Sequence, residues 1–145
     1  MERIKLQLPN NFIFNTPISV RITDVNYGGH VGNDTFLSYI HQARVKYLQS
    51  LGFSELNVNG ISLIMADVAL EFKHEIHFGD DLICWVCAEN FTKLGFNIFY
   101  KIEIVNPTGN IKAAQARTAM LGFDYQAKKK VFFPDDAAKW FEKNH

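Results

Sequence analysis

Asp24-Val-Asn-Tyr-Gly-Gly-His-Val-Gly-Asn-Asp34 runs directly into a segment where Phe36, Leu37, Ile40, Ala43, Tyr47, Leu48 and Leu51 recur at helical spacing. That spacing predicts a helix of about five turns over 33–51, with Asn33 or Asp34 as its N-cap and Gly52 closing it. Upstream, Ile18-Ser-Val-Arg-Ile-Thr-Asp24 alternates apolar and polar residues as a half-buried strand does. Downstream, residues 61–72, 80–91, 96–105 and 111–125 read as four strands, the last two joined by the turn Asn106-Pro-Thr-Gly-Asn110. Pro134-Asp-Asp-Ala-Ala-Lys-Trp-Phe-Glu-Lys143 has the proline and acidic start of a short terminal helix. One long helix followed by consecutive antiparallel strands predicts an α+β fold in which the sheet wraps the helix.

Composition narrows the function. A chain of 145 residues, 48% apolar and 14% aromatic, has the material for one well-packed domain spanning 1–145. Fifteen basic and fifteen acidic residues leave no net field to attract nucleic acid or an anionic membrane surface, so the expected partner is a small molecule or another protein chain. Neither a signal-peptide pattern nor an apolar run of membrane-spanning length is present, which predicts a cytoplasmic protein. Cys84 and Cys87 lie three apart within a strand, where their side chains point to opposite faces; buried, inert thiols are expected. His74-Glu-Ile-His77 has neither the spacing nor the helical context of a two-histidine zinc site, and no metal or cofactor is predicted.

The glycine turn carries the chemistry. Gly28, Gly29 and Gly32 permit close approach of another molecule, and the helix start after them offers unpaired N–H groups that can grip a carbonyl oxygen. Asp24, Asn26 and His30 crowd the same turn, although Asp and Asn also favour turns for local reasons. Asp67 interrupts the apolar run Ser62-Leu-Ile-Met-Ala-Asp-Val-Ala-Leu70, and strand period groups it with Leu63 and Met65. Such a carboxylate needs a partner or a solvent-facing position. His41 falls on a stripe with Asp34, Ser38 and Val45 at the border of core and solvent. Lys128-Lys-Lys130 reads as a solvated turn.

The element order, together with Arg21-x-x-Asp24, Gly29-His-Val-x-Asn33, Ala43-Arg44 and Gly79-Asp80, resembles the hotdog-fold acyl-CoA thioesterases, including the 4-hydroxybenzoyl-CoA thioesterases. The resemblance covers about residues 18–125 and implies hydrolysis of an acyl-CoA, with coenzyme A present as part of the substrate. It also implies a homodimer, or a dimer of dimers, whose active sites lie at the subunit interface, and it makes the Asn33 N–H the oxyanion donor. The sequence departs from the resemblance at two positions. Asn26 stands where relatives carry the aspartate that acts as nucleophile or base, and His41 stands where many carry a glutamate. A carboxamide accepts no proton at neutral pH.

Three repairs are chemically reasonable. His30 serves as base with Asn26 positioning water, a logic resembling that of plant acyl-carrier-protein thioesterases. Asp24 or Asp34 orients His30 or acts as the base itself. Asp67 supplies the carboxylate, with His30 or His41 of the same or another subunit as its partner. Two other functions on the same fold stay open: an acyl-thioester hydratase or dehydratase, to which Asp24-Val-Asn26 is similar, and a noncatalytic acyl-CoA-binding module, favoured by Asn26.

Overall fold

The computed structural model describes residues 1–142. The elements are strand β1 (Phe14–Ser19), helix α1 (Thr35–Ser50), and strands β2 (Ser62–Phe72), β3 (Asp81–Glu89), β4 (Gly95–Ile104), β5 (Ile111–Asp124) and β6 (Lys129–Lys130). Short 3-10 turns cover Ile22–Asp24 and Ala137–Phe141. The strands form one antiparallel sheet in the order β1-β3-β4-β5-β2, and β6 pairs with the end of β5. This is the hotdog arrangement expected from the sequence: a sheet wrapped around one long helix.

Helix and sheet bury each other. Ile40, Ala43 and Leu48 of α1 are at most 1% exposed, as are Cys84, Val86, Ile98, Tyr100, Ala116 and Thr118 of the strands. Each large aliphatic chain removed from water here stabilises the fold by roughly 1.5–3 kcal/mol. Ala43 has no side chain beyond Cβ, which lets the helix backbone come close to the sheet at the point where Arg44 reaches inward. The Arg44 guanidinium meets the Tyr100 hydroxyl at 3.2 Å, and that hydroxyl lies 2.7 Å from Thr118 Oγ1. Outside this network, Arg44 Nε donates to Glu55 Oε1 at 3.1 Å, and His41 Nε2 lies 3.3 Å from the same oxygen. Leu37 departs from the expected apolar face and is 41% exposed.

On the sheet's other face, Glu71, Gln115, Lys101, Trp85 and Asn15 stand opposite one another in register across five strands. The chain preceding β1 lies along this row. Leu6 donates its N–H to Glu71 and accepts from Gln115 Nε2 at 3.0 Å, and the Phe12 ring centroid lies 5.3 Å from Lys101 Nζ.

Several expectations need correction. The first strand lies earlier than 18–24, because Asp24 accepts the Arg21 N–H at 2.9 Å and pulls 22–24 into a 3-10 turn. Pro17 sits inside that strand, which is tolerated because β1 is an edge. The α1 N-cap is Asp34, but its backbone is already helical and its side chain makes no cap hydrogen bond. The terminal helix is a 3-10 turn, and Lys143 lies outside the described residues. Its Phe141 ring packs 4.8 Å from Phe96 and 5.2 Å from Phe91. Lys129 and Lys130 leave the expected turn to pair with β5, their side chains exposed. Cys84 and Cys87 are buried, and burial pushes the Cys84 thiol pKa up and that of Cys87 up to about 12.

Candidate active site around His30

The glycine turn folds on itself. Val25 and Val31 form an antiparallel bridge, Asn26 N donates to His30 O at 2.9 Å, and Gly29 N donates to Asn26 O at 3.0 Å. Gly29 takes φ of 83°, a conformation that glycine adopts without steric cost. Asn26 Oδ1 accepts the Gly28 N–H at 2.9 Å, which holds the carboxamide against its own turn. His30 Nδ1 lies 3.2 Å from Val31 O. A carbonyl only accepts, so in the neutral imidazole this contact places the proton on Nδ1 and leaves the Nε2 lone pair free. A Cβ at Gly28 would stand 3.2 Å from Asn26 Oδ1 and 3.4 Å from His30 Nε2. Both groups therefore border one space, and a glycine keeps it open.

The connection between β2 and β3 supplies the opposite wall. Val31 N donates to Ile76 O at 2.8 Å, joining this loop to the glycine turn. Gly79, at φ of 98°, and Asp80, whose Oδ2 accepts the His77 N–H at 2.8 Å, shape the loop. Glu75 Oε1 then lies 3.9 Å from His30 Nε2, and Glu75 Oε2 lies 3.6 Å from His77 Nε2. Sequence reasoning passed over Glu75. Its signal was the His74-Glu-Ile-His77 stretch, considered for zinc alone, and nothing in the sequence places that stretch beside residue 30. Among the described residues no cluster of three His, Cys, Asp or Glu could hold a metal ion.

The remaining candidates are placed as follows. Asp24 is buried; its Oδ2 accepts from the Tyr39 hydroxyl at 2.9 Å as well as from Arg21 N, and Arg21 Nη2 lies 3.6 Å from Oδ1. Burial first, then the Asp24 hydrogen bond and charge, push the Tyr39 pKa up. Asp24 thus ties the turn to the helix. Asp34 is exposed, with Oδ1 2.8 Å from where a Gly32 Cβ would sit, so that glycine makes room for the carboxylate. Asn33 stands in the turn before α1, where Gly32 N–H is spent on Asp24 O and Thr35 N–H on Gly32 O. No acceptor is found for the Asn33 N–H among the described residues.

Asp67 is not beside a histidine among the described residues of its own chain. Leu63 and Met65 oppose Gly122 and Met120, but the register shifts after Met65, and Asp67 opposes Ala119. This bulge moves Asp67 off the face of Leu63 and Met65. It pairs with Arg117 Nη1 at 2.9 Å.

At the far end of α1, a cavity of about 500 Å3 is lined by Phe14, Tyr47, Leu51, Phe91 and Phe141, with none of the glycine-turn residues. Asn11, Asn15, Ser50, Glu89 and Glu142 also line it, so this cavity is of mixed polarity and stands apart from the glycine turn.

The comparisons agree with this architecture. Solved structures similar to the chain include a 1,4-dihydroxy-2-naphthoyl-CoA thioesterase from Synechocystis, at 22% identity and a TM-score of 0.74, covering 87% of this chain and 95% of that one. An aspartate-to-asparagine mutant of 4-hydroxybenzoyl-CoA thioesterase, complexed with 4-hydroxybenzoyl-CoA, has 14% identity and a TM-score of 0.78, covering 89% and 98%. A Thermus thermophilus thioesterase complexed with coenzyme A and Zn has 20% identity and a TM-score of 0.75, covering 92% and 95%. A comparison with curated protein sequences finds no match. The model of the thioesterase-like superfamily matches residues 20–141, from the glycine turn through every later strand to the terminal 3-10 turn, and the chain belongs to that family.

Proposed function

We propose that the protein hydrolyses an acyl-CoA thioester to the free acid and coenzyme A, with His30 as general base. The observation that carries this reading is the shared space over Gly28, bordered by Asn26 Oδ1 and by His30 Nε2 with its lone pair free. A water held by Asn26 stands where Nε2 can take its proton while the oxygen attacks the thioester carbonyl carbon. The resulting oxyanion is received by the Asn33 N–H at the start of α1; one such donor is typically worth about 100- to 1000-fold in rate. Collapse breaks the C–S bond, and the proton held on Nε2 passes to the departing sulfur. No carboxylate nucleophile is needed, which accommodates Asn26.

The site is completed by a second copy of the chain. Among the described residues β2 has β5 as its one neighbour in the sheet, and Met65, Val68 and Phe72 along it are 43%, 37% and 44% exposed. An eleven-residue edge with this much apolar surface is suited to pairing with its equivalent in a homodimer. Coenzyme A enters as part of the substrate, and the relatives crystallised with coenzyme A or an acyl-CoA support that choice.

The test is release of free thiol from short, long, branched and aromatic acyl-CoAs by the purified protein and by His30→Ala. Turnover that falls at least about 100-fold in the folded variant is expected for loss of a general base. Saturable binding without thiol release would replace the hydrolase by a binding module, and hydration of an enoyl-CoA would replace it by a hydratase.

A further inference from the structure

The Asn26–His30 pair lacks a negative charge to stabilise the imidazolium that forms when Nε2 accepts a proton. Asp24, Asp34 and Asp67 do not provide one: Asp24 is engaged by Tyr39 and Arg21, Asp67 by Arg117, and among the described residues no ion pair joins Asp34 to His30. The carboxylate that reaches His30 comes from elsewhere in the chain. We infer that Glu75, in the β2–β3 loop, is the positioning residue of this site. Its Oε1 faces His30 Nε2 from 3.9 Å, and its Oε2 lies 3.6 Å from His77 Nε2.

The inference rests on the hydrolase reading with His30 as base. Three features of the backbone make the placement a built one. The Val31 N–H to Ile76 carbonyl bond fixes the loop one residue from Glu75 against the turn one residue from His30. Asp80 anchors the His77 N–H. Gly79, in the left-handed region, lets the chain turn back into β3. The Gly79-Asp80 pair thereby acquires a purpose at the site, although neither residue touches it. Among the described residues, the ion-pair contact of His30 within 4 Å is with Glu75, and His77 lies behind that carboxylate.

The carboxylate is well placed to act on the proton-transfer step. It opposes no charge while Nε2 is neutral, and it attracts the imidazolium once water has given up its proton, so its contribution appears in the transition state. Glu75 is 64% exposed, and solvent screening keeps the effect moderate. Replacing it is expected to lower kcat by roughly two- to fivefold with little change in KM.

The experiment compares wild type, Glu75→Gln, Glu75→Asp, His30→Ala and the double variant His30→Ala/Glu75→Gln. Glu75→Gln should lose kcat, Glu75→Asp should recover part of it, and the double variant should be no slower than His30→Ala alone. Independent losses in the double variant would mean that Glu75 does not act through His30, and an unchanged kcat in Glu75→Gln would overturn its role outright. Recovery of kcat in Glu75→Asp is the second readout: a restored carboxylate should restore rate where a purely structural role would not, and an Asp variant as slow as Glu75→Gln overturns the charge at His30. Absence of thiol release by wild type would sink the hydrolase reading itself and the catalytic part of this inference with it. Normal wild-type turnover with an indifferent Glu75→Gln would sink this inference alone.

Discussion

Asn26 holds the turn through an oxygen that accepts the Gly28 N–H, and a carboxylate oxygen can make the same bond. Asn26→Asp therefore changes the chemistry of the site while keeping its geometry. The substituted carboxylate would border the space shared with His30, at the position where the resemblance noted in the sequence implies a base. In a His30→Ala background, Asn26→Asp is expected to restore acyl-CoA turnover by about tenfold or more over His30→Ala alone, less than the roughly 100- to 10,000-fold of an evolved positioned base. Thiol release at the His30→Ala level in a folded double variant would show that this space is not where water is activated. The cluster of Asp24, Asn26 and His30 was legible from sequence because all three fall within seven residues. Which of them face one another was not legible. Asp24 turns away to bind Tyr39, fifteen residues further on in the helix, and Glu75 arrives from a loop whose position depends on the closed sheet.

At the scale of elements, periodicity located α1 and the four later strands to within two residues. It failed where one local interaction broke the period. The bulge after Met65 reassigns the face of Asp67, and a side chain's face cannot be read from period 2 across an inserted residue. Likewise, Asp24 converts the end of an apparently alternating strand into a 3-10 turn, leaving Ile22 67% exposed. The same bulged strand is the exposed edge proposed to join two copies. Val68 is on its helix-facing side, opposite Thr118, and is 37% exposed. A lysine there keeps the fold, because the side chain can extend into solvent, but it places a charge against its equivalent in the partner. Light scattering of wild type should give twice the chain mass, and Val68→Lys should shift the population toward the single chain at equal concentration. A wild type that stays monomeric would remove the shared-site reading, and a Val68→Lys dimer of unchanged affinity would place the interface elsewhere.

For the molecule as a whole, the hydrophobic pattern was enough to predict the wrapped sheet, but not the path of the chain before β1, because that path is set by polar contacts between residues far apart in sequence. Leu6 reaches Glu71 across 65 positions and Gln115 across 109. Glu71 records this contact: the Leu6 N–H, the Gln115 amide and Lys73 hold its pKa down to about 2, against an ordinary value of 4.5. A carboxyl whose pKa is lower when folded favours folding above its unfolded pKa. That contribution disappears as pH falls from about 4.5 to about 2. Glu71→Gln keeps an oxygen for Leu6 but no longer titrates, so its stability should be less sensitive to acid in that window. Urea unfolding midpoints at about pH 6 and about pH 3 measure the difference, with other carboxyls common to both proteins. Wild type should lose more of its midpoint than Glu71→Gln, and the protection of the Leu6 amide against exchange should fall more between the two pH values in wild type than in the variant. Equal losses in the two proteins would mean that the segment before β1 is not secured by this carboxylate, leaving Gln115 and the Phe12–Lys101 contact to hold it against the outer face of the sheet.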